Sequence, residues 1–197
     1  MGKIFIVMGK SSTGKDTIYK KLMECEELNL KTAIMYTTRP IRKSEEDGVE
    51  YYFVNEETLI ELQKQNKIIE HRAYQTIHGI WHYFTVNDGQ INLGEADYLM
   101  IGTLETYEQI REYFGQDKVV PLYIEVEDGT RLARALKREQ KQEHPKYAEM
   151  CRRYLADEED FSEENLKKVG IKKRYNNFDI NNCLSEVIHD IKNYTVM

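Results

Sequence analysis

The 197-residue chain predicts an α/β domain, a parallel sheet with helices on both faces that carries a small antiparallel insertion and a short helical lid. Three observations lead there. Apolar runs of strand length alternate with segments of helical period. A glycine-framed loop, Gly9-Lys10-Ser11-Ser12-Thr13-Gly14-Lys15-Asp16-Thr17, joins the first run, Ile4 to Met8, to the first helical pattern at Ile18 and Leu22. Between about residues 37 and 93 the alternation breaks, which marks an insertion.

The loop has the G-x-x-x-x-G-K spacing in a strand–loop–helix context, so the sheet is of the P-loop NTPase type. Successive amides and the positive helix end converge on an anion there, and Lys15 reaches terminal phosphates. Nucleotide contacts are therefore assigned to the whole stretch from Gly9 to Thr17. Asp16 stands where a Ser or Thr hydroxyl usually meets Mg2+.

In chain order, Ile18, Leu22 and Cys25 share one face of a helix ending near Glu27, and Lys31 to Tyr36 is a short apolar strand. Asp47-Gly48 marks a turn and Tyr51 to Val54 an aromatic β run. Glu56 to Gln65 reads as a short helix with Leu59 and Leu62 inward, and Ile68 to Tyr74 and Ile80 to Val86 as further strands. An apolar strand, Asp97 to Thr103, closes on Gly102-Thr103, and a helix follows from Leu104 to Tyr113. Val119 to Val126 is a buried-type strand and Arg131 to Arg138 a helix. Phe178 to Asn181 reads as a last short strand, and Leu184, Val187, Ile188 and Ile191 line one face of a terminal helix. The organisation is one domain: a core of residues 1–36, 94–130 and 165–197, an acceptor insertion of about 37–93, and a lid of about 131–164.

Net charge is -6, which excludes a nucleic-acid binder that relies on overall basicity; anions must be held by local clusters. Cys25, Cys151 and Cys183 are odd in number and far apart, so they form neither a disulfide framework nor a C-x-x-C metal site. No apolar run is long enough to span a bilayer, and the five-residue run before the loop is no signal peptide. Reduced thiols and a cytoplasmic location are the expectation, with no nucleic-acid or membrane partner.

A second constellation is Thr37-Thr38-Arg39-Pro40-Ile41-Arg42, followed by Glu45, Asp47-Gly48 and Tyr51-Tyr52-Phe53-Val54. Two guanidiniums and a phenol can surround a dianionic phosphate with charge-assisted hydrogen bonds. This pattern resembles the guanylate kinase signature, T-T-R-x-P-R, then E-x-x-G, then Y-x-F-V, with the proline one place earlier. The resemblance runs from about Lys3 to Ile191. It implies ATP and Mg2+ as cofactors and in-line phosphoryl transfer to GMP or dGMP, giving GDP or its deoxy form. It implies Arg39, Arg42 and Tyr51 as ligands of the acceptor phosphate and Glu70 as hydrogen-bond acceptor for the guanine ring. Asn181 is then similar to the asparagine of the family's V-N-D-D turn near the adenine.

Several positions depart from the family pattern. Met35 or Tyr36 stands where the family has a serine, and the Y-Y-G-[ST] run becomes Gly79 to Thr85. His78 and His82 lie on a strand pattern, so they are pocket or surface residues and not a helical metal pair. The family's strand-end D-[IV]-D becomes Ile101-Gly102-Thr103, which leaves Thr103 among the acceptor residues. A carboxylate lost there coincides with one gained at Asp16, which is assigned to Mg2+. The G-K-D loop also resembles ribose bisphosphate phosphokinase, so ribose 1,5-bisphosphate is the alternative acceptor. A non-catalytic guanylate-kinase-like module is the other rival, and the intact Lys15 argues against it.

From Arg131 to Leu155 eight Lys/Arg stand against three acids, and Asp157 to Glu164 reverses the sign with six acids. Arginines that screen a moving phosphoryl group suit such a segment. The family resemblance places Arg138 near the first lid arginine, with Arg134 competing, and Arg152 or Arg153 near the second. The expected catalytic set is Lys15, Arg42, Arg138 and Arg152.

Overall fold

The computed structural model describes residues 2–76 and 79–196; His78 lies outside them. In chain order the elements are β1 (Ile4–Met8), α1 (Lys15–Met23), a 3-10 turn (Glu26–Leu28), β2 (Tyr36–Thr37), β3 (Tyr52–Phe53), α2 (Glu56–Lys64), β4 (Ile68–Thr76), β5 (Gly79–Val86) and β6 (Tyr98–Ile101). There follow α3 (Leu104–Phe114), β7 (Val119–Glu125), α4 (Asp128–Glu139), α5 (Tyr147–Asp160), α6 (Glu163–Lys168), β8 (Arg174–Asn176) and α7 (Ile180–Val196).

The main sheet runs β6-β1-β7-β8, and every pairing is parallel. β1 sits inside it, which explains why its run is apolar without alternation. Ile4, Ile6 and Met8 enter one core layer with Leu104, Tyr107 and Ile110 of α3. Phe5 and Val7 enter the opposite layer with Ile18 and Leu22 of α1 and Val187 and Ile191 of α7. Helices thus cover both faces, as the sequence predicts.

The second sheet, β3-β2-β5-β4, is mixed where the expectation was antiparallel, because β2 and β3 run parallel while β2–β5 and β4–β5 run antiparallel. The stretch from Lys31 to Tyr36 is likewise not one strand. Lys31 bridges Tyr98 beside the main sheet and Tyr36 begins β2 in the second. Between them the Gln90 side chain accepts from the Ile34 amide at 2.8 Å and donates to its carbonyl at 3.3 Å, which satisfies the backbone where no strand does.

Phe178 to Asn181 is not a strand either. The last strand is β8, and side-chain caps close the turn after it: Asn176 accepts from the Phe178 amide at 2.9 Å and Asp179 from the Asn182 amide at 2.9 Å. Phe178 is 82% exposed, so nothing buries the face a strand would need. Helix α4 starts at Asp128, ahead of Arg131, because the Glu127 carboxylate caps the Gly129 and Thr130 amides at 2.8 and 2.7 Å. Its buried face carries Arg131, Ala135 and Glu139, while Leu132 and Leu136 are exposed.

Candidate phosphate-binding and acceptor site

The glycine-framed loop leaves β1 at the carboxyl end of the sheet, where open α/β sheets bind ligands. Gly9 has φ +153°, and a Cβ there would stand 2.3 Å from the Ile124 carbonyl oxygen of β7. Gly14 takes φ +87° at the N-cap of α1. The loop is braced from inside by the Thr13 hydroxyl, which donates to the Lys10 carbonyl at 2.9 Å. It is braced from outside by buried Asn177, which donates to the Thr13 carbonyl at 2.7 Å. The amides of Gly14, Lys15 and Asp16 have no backbone partner among the described residues, so they remain free for an anion at the helix end.

Asn177, directly after β8, was not singled out in the sequence. Asn181 lies four residues on, exposed in the first turn of α7. The signal was the strand pattern itself, since the asparagine on the loop follows the true last strand.

The outer rim of the loop is occupied by the acidic end of α5. The Ser11 amide donates to Asp157 at 2.7 Å and Lys10 pairs with Glu158 at 2.7 Å. Arg131, fully buried, stacks 3.8 Å from the Tyr154 ring centroid, pairs with Asp157 at 3.4 Å and contacts Glu158. A buried guanidinium needs such partners, so the charge reversal in the sequence is a folded network. Arg134 donates to the Asn177 carbonyl at 3.0 Å. Arg138 and Arg153 share a crevice with Ser11 and Ser12. Arg152 and Arg153 both pair with Glu149, at 2.7 and 2.8 Å, and of the two only Arg153 also lines that crevice.

Lys15 and Asp16 also line a cavity of about 390 Å3 that extends under the second sheet. Tyr51, Tyr74, Trp81 and Tyr83 form its walls, Met35 and Arg72 its inner side, and Ile101 to Thr103 its edge along β6. Thr103 doubles as the N-cap of α3, accepting from the Thr106 amide at 3.2 Å. Burial pushes the Tyr51 hydroxyl above its ordinary value, so it stays protonated as a donor. Asp16 is exposed, with Lys15 Nζ at 4.0 Å.

Of the two signature arginines, Arg39 is buried and forked onto Glu45 at 2.9 and 2.8 Å, between the rings of Tyr51 and Phe53. Its Nε is buried without a hydrogen-bond partner. Arg42 lies exposed on the same loop, where its amide donates to Glu45 at 2.8 Å.

Glu70 owes its place to a β-bulge between Ile68 and Glu70. The bulge sends Ile69 into the main core and turns Glu70 inward opposite Thr85. Both oxygens of the buried carboxylate are engaged: Arg72 Nε donates at 3.0 Å, Arg72 Nη2 at 3.4 Å and the Thr85 hydroxyl at 3.1 Å. His82 stacks on His71, and their ring nitrogens lie 2.8 Å apart. Burial, with His82 and Arg72 nearby, lowers the His71 pKa, which favours its neutral form. A larger cavity, about 520 Å3, lies beyond Lys10, but Glu125, Glu127, Asp128, Glu158 and Glu163 line it, a poor surface for phosphate.

Comparison with known proteins agrees with this geometry. The profile described as guanylate kinase matches residues 1–163. The guanylate kinase of Malacoplasma penetrans is 31% identical over 138 residues, 70% of this chain and 58% of that protein. That of Anaplasma phagocytophilum is 29% identical over 125 residues, 61% and 59% of the two chains. That of Legionella pneumophila (strain Lens) is 33% identical over 91 residues, 46% and 41%. The matched stretches thus span between about two fifths and three fifths of these relatives' lengths. The crystal structure of the Anaplasma phagocytophilum guanylate kinase superposes with a TM-score of 0.61 at 21% identity, over 97% of this chain and 85% of that one, which establishes the shared fold. With the profile covering most of the chain, and Lys15 of the loop and Tyr51 of the second constellation lining one cavity, this chain belongs to the guanylate kinase family.

Proposed function

We propose that the chain transfers the γ-phosphoryl group of ATP to GMP, with dGMP as a related acceptor. The observation that carries this reading is that Lys15 and Asp16, at the phosphate loop, also line the aromatic cavity. Donor and acceptor phosphates can then meet at one lysine. No general base is needed, because a phosphate oxygen of the acceptor is already a nucleophile, and catalysis is positioning and charge stabilisation.

Lys15 and the free loop amides hold the donor phosphates. Tyr51, Arg42 and Arg39 hold the acceptor phosphate, Arg39 being fixed by Glu45. The exposed carboxylate at Asp16 fits Mg2+, which is commonly held by one or two carboxylates together with nucleotide phosphates. The ion supplies charge neutralisation between the phosphates when bound. Arg134, Arg138 and Arg153 are the α4–α5 arginines on the loop side, and Arg152 and Arg153 are both paired with Glu149. Residues 37–93 act as the acceptor-binding unit and 131–164 as the lid, closing over the substrates to exclude water. Among the described residues no helix is long and apolar enough to cross a membrane.

A coupled ADP-release assay with ATP, Mg2+ and a panel of GMP, dGMP, AMP and ribose 1,5-bisphosphate tests the reading. Turnover of GMP supports it. Turnover of the bisphosphate alone replaces the acceptor, and failure both to turn over any of them and to bind ATP makes the chain a binding module.

A further inference from the structure

We infer that the Ser12 side chain is a further catalytic group of the donor site, and that its hydroxyl donates a hydrogen bond to the phosphoryl group in transfer. The inference deepens the proposed function and rests on its assignment of the donor phosphates to the loop.

Ser12 combines two unfavourable features. Its φ is +67°, in the left-handed region. The other non-glycine residues found there, among the described ones, are Asn29 and Asn66, and asparagine enters that region more readily than serine. The Ser12 hydroxyl is also buried without a hydrogen-bond partner. A left-handed backbone and an unmet buried donor are both uncommon, and both concentrate where a ligand is handled. The chain on either side is clamped, so the residue is held in this state. The Ser11 amide donates to Asp157 at 2.7 Å, the Thr13 hydroxyl to the Lys10 carbonyl at 2.9 Å, and Asn177 to the Thr13 carbonyl at 2.7 Å.

The surroundings of Ser12 point to an anion. Arg138 and Arg153 line the same crevice, and no carboxylate does. Arg153 is paired with Glu149, whereas the exposed Arg138 makes no hydrogen bond or ion pair with a described residue. The Ser12 amide has no backbone partner among the described residues either. One crevice therefore offers a hydroxyl, an amide and a guanidinium, a set of donors that suits phosphate oxygens. Position along the loop tells which phosphate. The free amides of Gly14, Lys15 and Asp16 at the start of α1 take the inner one. Ser12 stands two residues earlier, on the side lined by α4 and α5, and takes the terminal one.

In the transfer, the bond from the γ-phosphorus to the bridging oxygen breaks and its electron pair stays with ADP, while an oxygen of the acceptor phosphate makes the new bond. Ser12 keeps its proton throughout. Its hydroxyl donates to an oxygen of the moving group, where a fixed donor in a closed site stabilises charge most.

Two variants separate this role from a structural one. Ser12→Gly removes the hydroxyl and relaxes the backbone, since glycine adopts positive φ freely; Ser12→Ala removes the hydroxyl and keeps the strain. In the ADP-release assay with ATP and GMP, both lower kcat/KM by about 10- to 100-fold, the effect of one hydrogen bond to a charged group. The thermal midpoint of Ser12→Gly stays level or rises, so stability and activity part company. ADP, which lacks the terminal group, binds both variants within about twofold of the unaltered chain by calorimetry. Turnover by Ser12→Gly within about twofold of the unaltered chain overturns the inference. A loss of ADP affinity as large as the loss of kcat/KM overturns it too, because the hydroxyl then serves only to shape the loop. Either variant decides by itself where the other fails to fold. No turnover of any acceptor by the unaltered chain overturns the proposed function, and the inference with it, so the two failures are distinct.

Discussion

The donor loop and the acceptor cavity lie side by side and are built in opposite ways. The loop is made of backbone: Gly9 and Gly14 hold positive φ, a side chain at Gly9 would strike Ile124, and the free groups are main-chain amides. The cavity is made of side chains: four aromatic rings, an arginine forked to a buried glutamate, and a threonine that also caps a helix. Backbone geometry demands glycine at fixed spacing and so writes a motif into the sequence. Side-chain geometry can be met by many residues and leaves a fainter mark.

The contrast can be broken at several points. Lys15→Met lowers kcat/KM by about 10²- to 10³-fold, since it removes the cation shared by both phosphates, with the far-UV spectrum unchanged. An effect below tenfold would place the transferring phosphate away from Lys15. Gly9→Ala costs about 2–3 kcal/mol of stability in urea unfolding, because the new methyl meets the Ile124 carbonyl at 2.3 Å. Asn177→Ala costs about 1–2 kcal/mol and raises the KM for ATP, because the buried Thr13 carbonyl loses its donor. On the acceptor side, Tyr51→Phe raises the KM for GMP by about 3- to 10-fold and leaves the KM for ATP and the unfolding midpoint unmoved. Asp16→Ser shifts the Mg2+ concentration that half-saturates turnover; an unchanged Mg2+ dependence would remove Asp16 from the metal.

Legibility followed the same division. The strands β1, β6 and β7 and the loop are readable because burial on both faces leaves continuous apolar runs and the loop needs its glycines. The last strand is misread because Phe178 looks like a β residue, yet the Asn176 and Asp179 side chains turn the backbone there. Mistaking that strand also hides Asn177, which follows the true last strand and braces the phosphate loop. The parallel pairing of β2 with β3 leaves no local signal, because two-residue strands carry no period. Arg131 reads as one more surface cation in a basic segment. Its burial depends on Asp157 and Glu158, roughly 26 residues later, a distance over which no periodicity speaks. Glu70 is placed correctly on a strand, but the bulge that turns it inward and the Arg72 that covers it are tertiary facts.

The contact between α5 and the loop makes the two a single lever. Asp157 takes the Ser11 amide and Glu158 takes Lys10, and both also hold the buried Arg131 of α4. Swinging α5 away strips a buried guanidinium of its partners, a loss of about 3–5 kcal/mol where one partner of such a pair is removed. The helix therefore does not flap independently of the loop. Any ligand that rearranges the rim at Ser11 is felt at the far end of α5, so slowed amide hydrogen exchange from Asp157 back toward Tyr147 becomes a gauge of what the phosphate loop holds.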